Sequence, residues 1–174
     1  MAEAQFKGLI QVYTGDGKGK TTAALGQAVR ACGQGLKVIV IQFLKGQEGG
    51  EHLFADKLKP FEIIQFGKGD LFKKPEQELL QETMEAYQFA QKALAGGKYD
   101  LVVLDEIFIA HWRGLLSLQQ VLDLMQMKPD NVELIMTGRK APREVVKRAD
   151  LVTEMLPIKH PLAEGVQQRR GIEY

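Results

Sequence analysis

The stretch Gln11–Ala31, QVYTGDGKGKTTAALGQAVRA, decides the fold. A short β-type run stops at a glycine- and lysine-rich turn, and a helical pattern begins at once. The standard phosphate-binding loop is glycine, four residues, then Gly-Lys-Thr. Gly19, Lys20 and Thr21 match it, but Thr14 stands in the first glycine slot and Gly15 comes one place late. The context of strand, turn and helix is the one the motif requires. Glycines let the backbone wrap around an anion with successive N–H groups pointing inward. A helix starting near Lys20 adds its partial positive end. The bland alternative is a Gly/Lys-rich surface turn.

Outward from this stretch the chain alternates. GLIQVYT, KVIVIQF, FEIIQF, DLVVLDE, VELIMTG and LVTEML read as strands. Between them, Lys20–Gly33 reads as a helix, as do a long segment opened by Pro75 and closed by Gly96-Gly97, SLQQVLDLMQM and PREVVKRA. Residues 44–59 read as a Gly-rich, charged connection. VIVIQF and LVVL are nearly continuous apolar runs, the mark of strands buried on both faces. The expected fold is three-layer α/β, P-loop NTPase-like, with a mostly parallel central sheet flanked by helices. The 174 residues make one domain, 1–174. Ligands in such sheets bind beyond the carboxyl ends of the strands. The loop after QVYT, Gln42, Asp105-Glu106 and Thr137-Gly138-Arg139 all stand there.

Composition excludes several classes. The formal net charge is +1, so nothing argues for nucleic acid or a membrane surface. One cysteine, Cys32, rules out an internal disulfide framework, and three scattered histidines give no zinc spacing. No apolar run approaches the roughly 20 residues that span a bilayer, and the first residues carry no signal-peptide pattern. A cytoplasmic protein is expected.

Within TGDGKGKTT, Lys20 suits phosphate oxygens and the Thr21 hydroxyl suits Mg²⁺. Gly15, Gly17, Gly19 and Thr22 supply backbone N–H groups. Lys18 is a second phosphate contact or simply solvated, and Asp16 points to solvent rather than to phosphate. LVVLDE ends in two acids, Asp105 and Glu106, one of which can hold Mg²⁺ directly or through water; a helix N-terminal charge is the alternative role. Arg139, just past the fifth strand, suits phosphate or ribose, with a plain surface arginine as the alternative. Lys159-His160 follow the last strand and can approach the site. His111 and Trp112 read as packing residues. Phe72, in the loop GKGDLFKKP, lines a pocket or caps the core. These residues point to a Mg²⁺–nucleoside triphosphate enzyme and leave open which bond breaks. No arginine-rich lid of the kind a kinase uses is visible.

Together, GLIQVYTGDGKGKTTAALGQAVRACGQGLKVIVIQFLKG, LVVLDE, IMTGRKAP, ADLVTEM, KH and GIEY resemble the P-loop type of ATP:corrinoid adenosyltransferase, in order, from about Gly8 to Tyr174. The resemblance implies transfer of the 5′-deoxyadenosyl group of ATP to the Co(I) centre of a reduced corrinoid, cobalamin or a precursor such as cobyrinic acid a,c-diamide. Triphosphate is then the leaving group. The resemblance also implies a nucleotide lying in the loop in reverse direction, a homodimer, and a flavodoxin-type or other reductant protein. Carried over by position, Lys20, Thr21 and Glu106 are catalytic, Thr21 and Glu106 neighbour Mg²⁺ with Asp105 close by, and Gly15, Asp16, Gly17, Lys18, Gly19, Lys20, Thr21, Thr22 and Arg139 form the ATP site. Asp70, Phe72, Lys159 and His160 fall to the corrinoid. Three positions depart from the family pattern. Asp16 replaces a frequent Asn, Gly69-Asp70-Leu71-Phe72 replaces Gly-Phe-Thr-Trp, and Arg169 replaces a common Gln. Two other readings compete: a P-loop regulatory ATPase acting with a protein partner, and a corrinoid-binding module with impaired catalysis.

Overall fold

A computed structural model describes residues 7–67, 69–71 and 73–174 of the chain. Six strands form one sheet in the order β3-β2-β4-β5-β1-β6, and every pairing is parallel. They are β1 (Ile10–Thr14), β2 (Val38–Gln42), β3 (Glu62–Gln65), β4 (Leu101–Asp105), β5 (Glu133–Thr137) and β6 (Leu151–Glu154). All six lie where the sequence places them. The α/β sheet flanked by helices is as expected, and its parallel order is complete rather than partial.

The sheet divides the core. Strand residues alternate between faces, so Ile39 and Ile41 of β2 join one cluster while Val38 and Val40 join the other. On the second face lie α1 (Lys20–Gly33) and α2 (Gly50–Leu58); on the first lie α3 (Glu76–Ala95), α4 (Ile107–Trp112) and α5 (Leu118–Met127). Helix α1 meets the sheet through Ala24, Ala28 and Ala31, all buried. Their spacing keeps one face of small side chains on the strands, so the helix approaches closely. Short α6 (Arg143–Arg148) buries Val145 in the first cluster. None of the described helices is long and apolar enough to cross a membrane.

Helix α2 is a departure from the expected irregular connection. Its apolar residues Leu53, Phe54 and Leu58 are exposed, while His52 and Ala55 are buried. The apolar pattern therefore points away from the core and gives no amphipathic signal. Local bonds close the helix start: the Gly49 N–H donates to His52 Nδ1 at 2.8 Å. At the far edge of the sheet every residue of β6 is exposed.

Candidate active site

The carboxyl ends of β1, β2, β4 and β5 converge on one place. The loop after β1 is shaped by two left-handed glycines, Gly15 (φ 95°) and Gly19 (φ 109°). It lies tight against the chain leaving β6. The Gly17 N–H donates to the Met155 carbonyl at 2.7 Å, and the Met155 N–H to the Thr14 carbonyl at 2.8 Å. A Cβ on Gly17 would stand 2.7 Å from that Met155 oxygen. Helix α1 then begins at Lys20 with no side-chain cap and no acid in its first turn. Its orphan N–H groups therefore face the loop cavity, an arrangement that favours an anion.

Lys20 is 7% exposed and donates to the carbonyls of Gly15 (2.8 Å) and Gly17 (2.7 Å). Burial lowers its pKa, against which the nearby Glu106 charge acts. Lysine thus braces the loop from inside. Asp16 is turned outward, as expected, and stands 3.6 Å from Arg139.

The end of β4 carries a polar network. Asp105 is fully buried. Its Oδ1 accepts from Thr21 (2.9 Å) and Thr137 (2.6 Å), and its Oδ2 accepts from the Gln42 amide (3.1 Å). Thr137 also accepts from the Glu106 N–H at 3.0 Å. One carboxylate thereby ties α1, β2, β4 and β5 together. Glu106 itself sits at φ 60°, a conformation glutamate rarely adopts. Its Oε2 is buried with no hydrogen-bond partner. Burial, and then the Asp105 charge, push its pKa up, with Lys20, Lys45 and Arg139 opposing.

The cavity bounded by these groups measures about 460 Å³, and Asp16–Thr22, Lys45, Glu51, Glu106, Arg139 and the tail residues 171–174 line it. A neighbouring cleft of about 860 Å³ shares five of those walls: Lys45, Glu106, Arg139, Glu173 and Tyr174. Its other walls include Leu44, Leu71, Ile109 and Trp112. A separate cleft of about 600 Å³ runs along β3 and holds none of the loop residues.

Gly15, Gly17, Gly19, Lys18, Lys20, Thr21, Thr22, Asp105, Glu106 and Arg139 are therefore brought together. His160 lines a third hollow beside Lys18, Arg139 and Glu173, and its Nδ1 accepts from the Leu162 N–H at 3.2 Å. Lys159 is exposed and lines none of these cavities. Asp70 pairs with Lys73 at 3.1 Å, and its neighbour Leu71 rather than Asp70 faces the cleft. Phe72 lies outside the described residues. His111 binds locally to the Leu116 carbonyl at 2.9 Å, the packing role expected. Trp112 does not pack: it is 58% exposed, with the Lys140 ammonium 4.0 Å from its ring centroid.

Sequence reasoning missed three groups at the cavity. Lys45 pairs with Glu51 at 3.0 Å, and Glu173 holds Lys18 and Arg169. Only the tail's GIEY pattern hinted at Glu173. No histidine, cysteine or serine lines the loop cavity among the described residues.

Fold and loop define a P-loop nucleotide-binding α/β protein. Its sequence from residue 6 to 174 matches the model of the family described as ATP:corrinoid adenosyltransferase BtuR/CobO/CobP. It is 37% identical to the corrinoid adenosyltransferase of Escherichia coli K12 over 180 residues, covering 100% of this chain and 90% of that one. The corrinoid adenosyltransferase CobA of Salmonella typhimurium is likewise 37% identical, with the same coverage. That of Pseudomonas aeruginosa is 36% identical over 97% of this chain and 84% of its own. The chain belongs to the ATP:corrinoid adenosyltransferase family, and its activity is transfer of the adenosyl group from ATP to a corrinoid.

Proposed function

We propose that the triphosphate of ATP lies in the loop cavity and that the corrinoid enters the adjoining cleft, so that C5′ meets cobalt at their shared walls. The single observation behind this is that both spaces open onto Lys45, Glu106, Arg139, Glu173 and Tyr174. The Gly17 N–H is taken by the Met155 carbonyl, so the other backbone N–H groups of residues 15–22 and the Lys20 ammonium hold the phosphates. Arg139 contributes a planar fork for an oxyanion. Cobalt is the nucleophile and triphosphate departs, so the protein's work is alignment and charge stabilisation.

Mg²⁺ fits the residues present. The partnerless Glu106 oxygen and the Thr21 hydroxyl flank the cavity. Among the described residues no three His, Cys, Asp or Glu side chains cluster as a metal cage. That pattern agrees with a cation held mainly by phosphates, water and one or two side chains. When bound, the cation would offset charge on the polyphosphate; Thr21 and Glu106 would hold it, with Thr21 oriented by its hydrogen bond to Asp105.

The active form is a homodimer in this reading. Leu151, Val152, Leu156 and Ile158 are exposed along β6 and beyond, Ile158 at 92%, and a second copy would cover them. With Cys32 as its one cysteine the chain has no dithiol for reducing cobalt. A separate reductant, of flavodoxin type or another, supplies Co(I). The protein acts in the cytoplasm, on cobalamin or a precursor such as cobyrinic acid a,c-diamide.

Trp112, the one tryptophan, reports on the cleft. Corrinoid binding quenches its fluorescence, after correction for corrinoid absorption, and Mg-ATP alone does so far less. Corrinoid binding that leaves the fluorescence unchanged contradicts the placement.

A further inference from the structure

We propose that Lys45 is a catalytic residue for the transfer, a cation standing at the reacting end of the triphosphate, and that Glu51 is its positioning residue. This rests on the placement of nucleotide and corrinoid given above. Bond changes in the step are few. The C5′–O5′ bond of ATP breaks and its electron pair leaves on the triphosphate. A Co–C5′ bond forms from the cobalt electron pair, taking Co(I) to Co(III). No proton moves, so what needs stabilising is negative charge growing on the departing oxygen.

That oxygen lies where the two cavities meet. Of their shared walls only Lys45 and Arg139 are cationic. Arg139 is half exposed beside Asp16, whereas the Lys45 side chain is only 25% exposed. A cation shielded from water acts more strongly on a growing charge.

Lys45 is also held in place by several independent contacts. Leu44 before it takes φ 47°, strained for leucine. The Lys45 N–H donates to the Phe66 carbonyl at 3.1 Å, and the Gln65 amide donates to the Lys45 carbonyl. Gly46 packs so close to the Gly69 carbonyl that a Cβ there would collide with it. From α2, Glu51 Oε1 holds the ammonium at 3.0 Å and reaches the Gln42 amide at 3.5 Å. Gln42 in turn holds Asp105. A strained, multiply anchored lysine on a carboxylate brace is preorganised for one position.

The test compares wild type, Lys45→Met, Lys45→Arg and Glu51→Gln with Mg-ATP and chemically reduced corrinoid. Lys45→Met lowers kcat about 10- to 100-fold with less than about a threefold change in the KM for ATP. Lys45→Arg recovers most of the rate. Glu51→Gln lowers kcat about threefold to tenfold, again with KM little changed. Thermal midpoints show that each variant is folded, and Lys45→Gln serves if Lys45→Met is not. A kcat within about twofold of wild type in both charge-removing variants, or a rise in KM alone, overturns the proposal. Corrinoid binding to wild type that leaves the Trp112 fluorescence unchanged overturns the underlying placement instead.

Discussion

Asp105 and Glu106 are chain neighbours with opposite surroundings: both oxygens of Asp105 accept hydrogen bonds, while Oε2 of Glu106 is buried with none. Asp105 has become a structural tie. Glu106 is a carboxylate with a buried, partnerless oxygen at a strained backbone position. Its raised pKa means that the folded state binds its proton more tightly than the unfolded chain. Stability from that group is present at low pH and is lost as pH rises through the folded pKa.

Glu106→Gln removes the buried charge. Without ligand, the variant gains stability of about 1 kcal/mol, which raises the midpoint by about 2–4 °C. Adenosylation falls at least about 100-fold at fixed Mg²⁺. Calorimetry and turnover on one sample check both halves; a less stable variant with full activity contradicts the role of Glu106.

Lys20→Ala cripples turnover, because a buried charge-assisted contact of about 1.5–3 kcal/mol is lost. The rate falls by about 10-fold or more at saturating ATP. The loop also loosens, since Lys20 braces the Gly15 and Gly17 carbonyls from within. Steady-state kinetics at saturating ATP decide the matter, and an unchanged rate removes Lys20 from the mechanism.

Gly15 and Gly26, eleven positions apart, behave oppositely. Gly15 sits at φ 95° with the Met155 backbone where a Cβ would go, so Gly15→Ala destabilises by about 1–3 kcal/mol and abolishes tight ATP binding. Gly26 lies within α1 with nothing within 4 Å of an added Cβ. Gly26→Ala therefore stabilises by about 0.5–1 kcal/mol with activity kept. Urea unfolding of the pair checks the contrast.

Glu173 sets a pH dependence in the tail. Hydrogen bonds from Arg169, then Lys18, hold its carboxyl down at about 2, from an ordinary 4.5. A depressed folded pKa gives stability that is complete above 4.5 and is lost as pH falls toward 2. The amide of Glu173, bonded to the Arg169 carbonyl at 2.9 Å, should lose exchange protection across that window while β4 amides keep theirs. Glu173→Gln shows the unprotected tail already at neutral pH. Protection that persists to pH 2 in wild type counts against the tail contact.

Local pattern carried most of this fold. The apolar runs of β2 and β4 and the glycine turn before α1 are signals within a few residues, and each fell where the sequence put it. The loop residues and the acids ending β4 were legible for the same reason, since strand ends of a parallel sheet gather on one side. Helix α2 was not legible, because its apolar residues face outward. With α2 hidden, the Lys45–Glu51 pair had no visible partner element. Glu173 meets Lys18 across 155 positions, a contact no local window records. Trp112 looked like packing because an exposed tryptophan in a short helix has the same pattern as a buried one.

The most direct test mixes the purified protein, Mg-ATP and a chemically reduced corrinoid, and follows both products. The predicted result is a light-sensitive adenosylated corrinoid with one equivalent of triphosphate for each cobalt alkylated. Release of ADP and free phosphate with no cobalt–carbon product would contradict it.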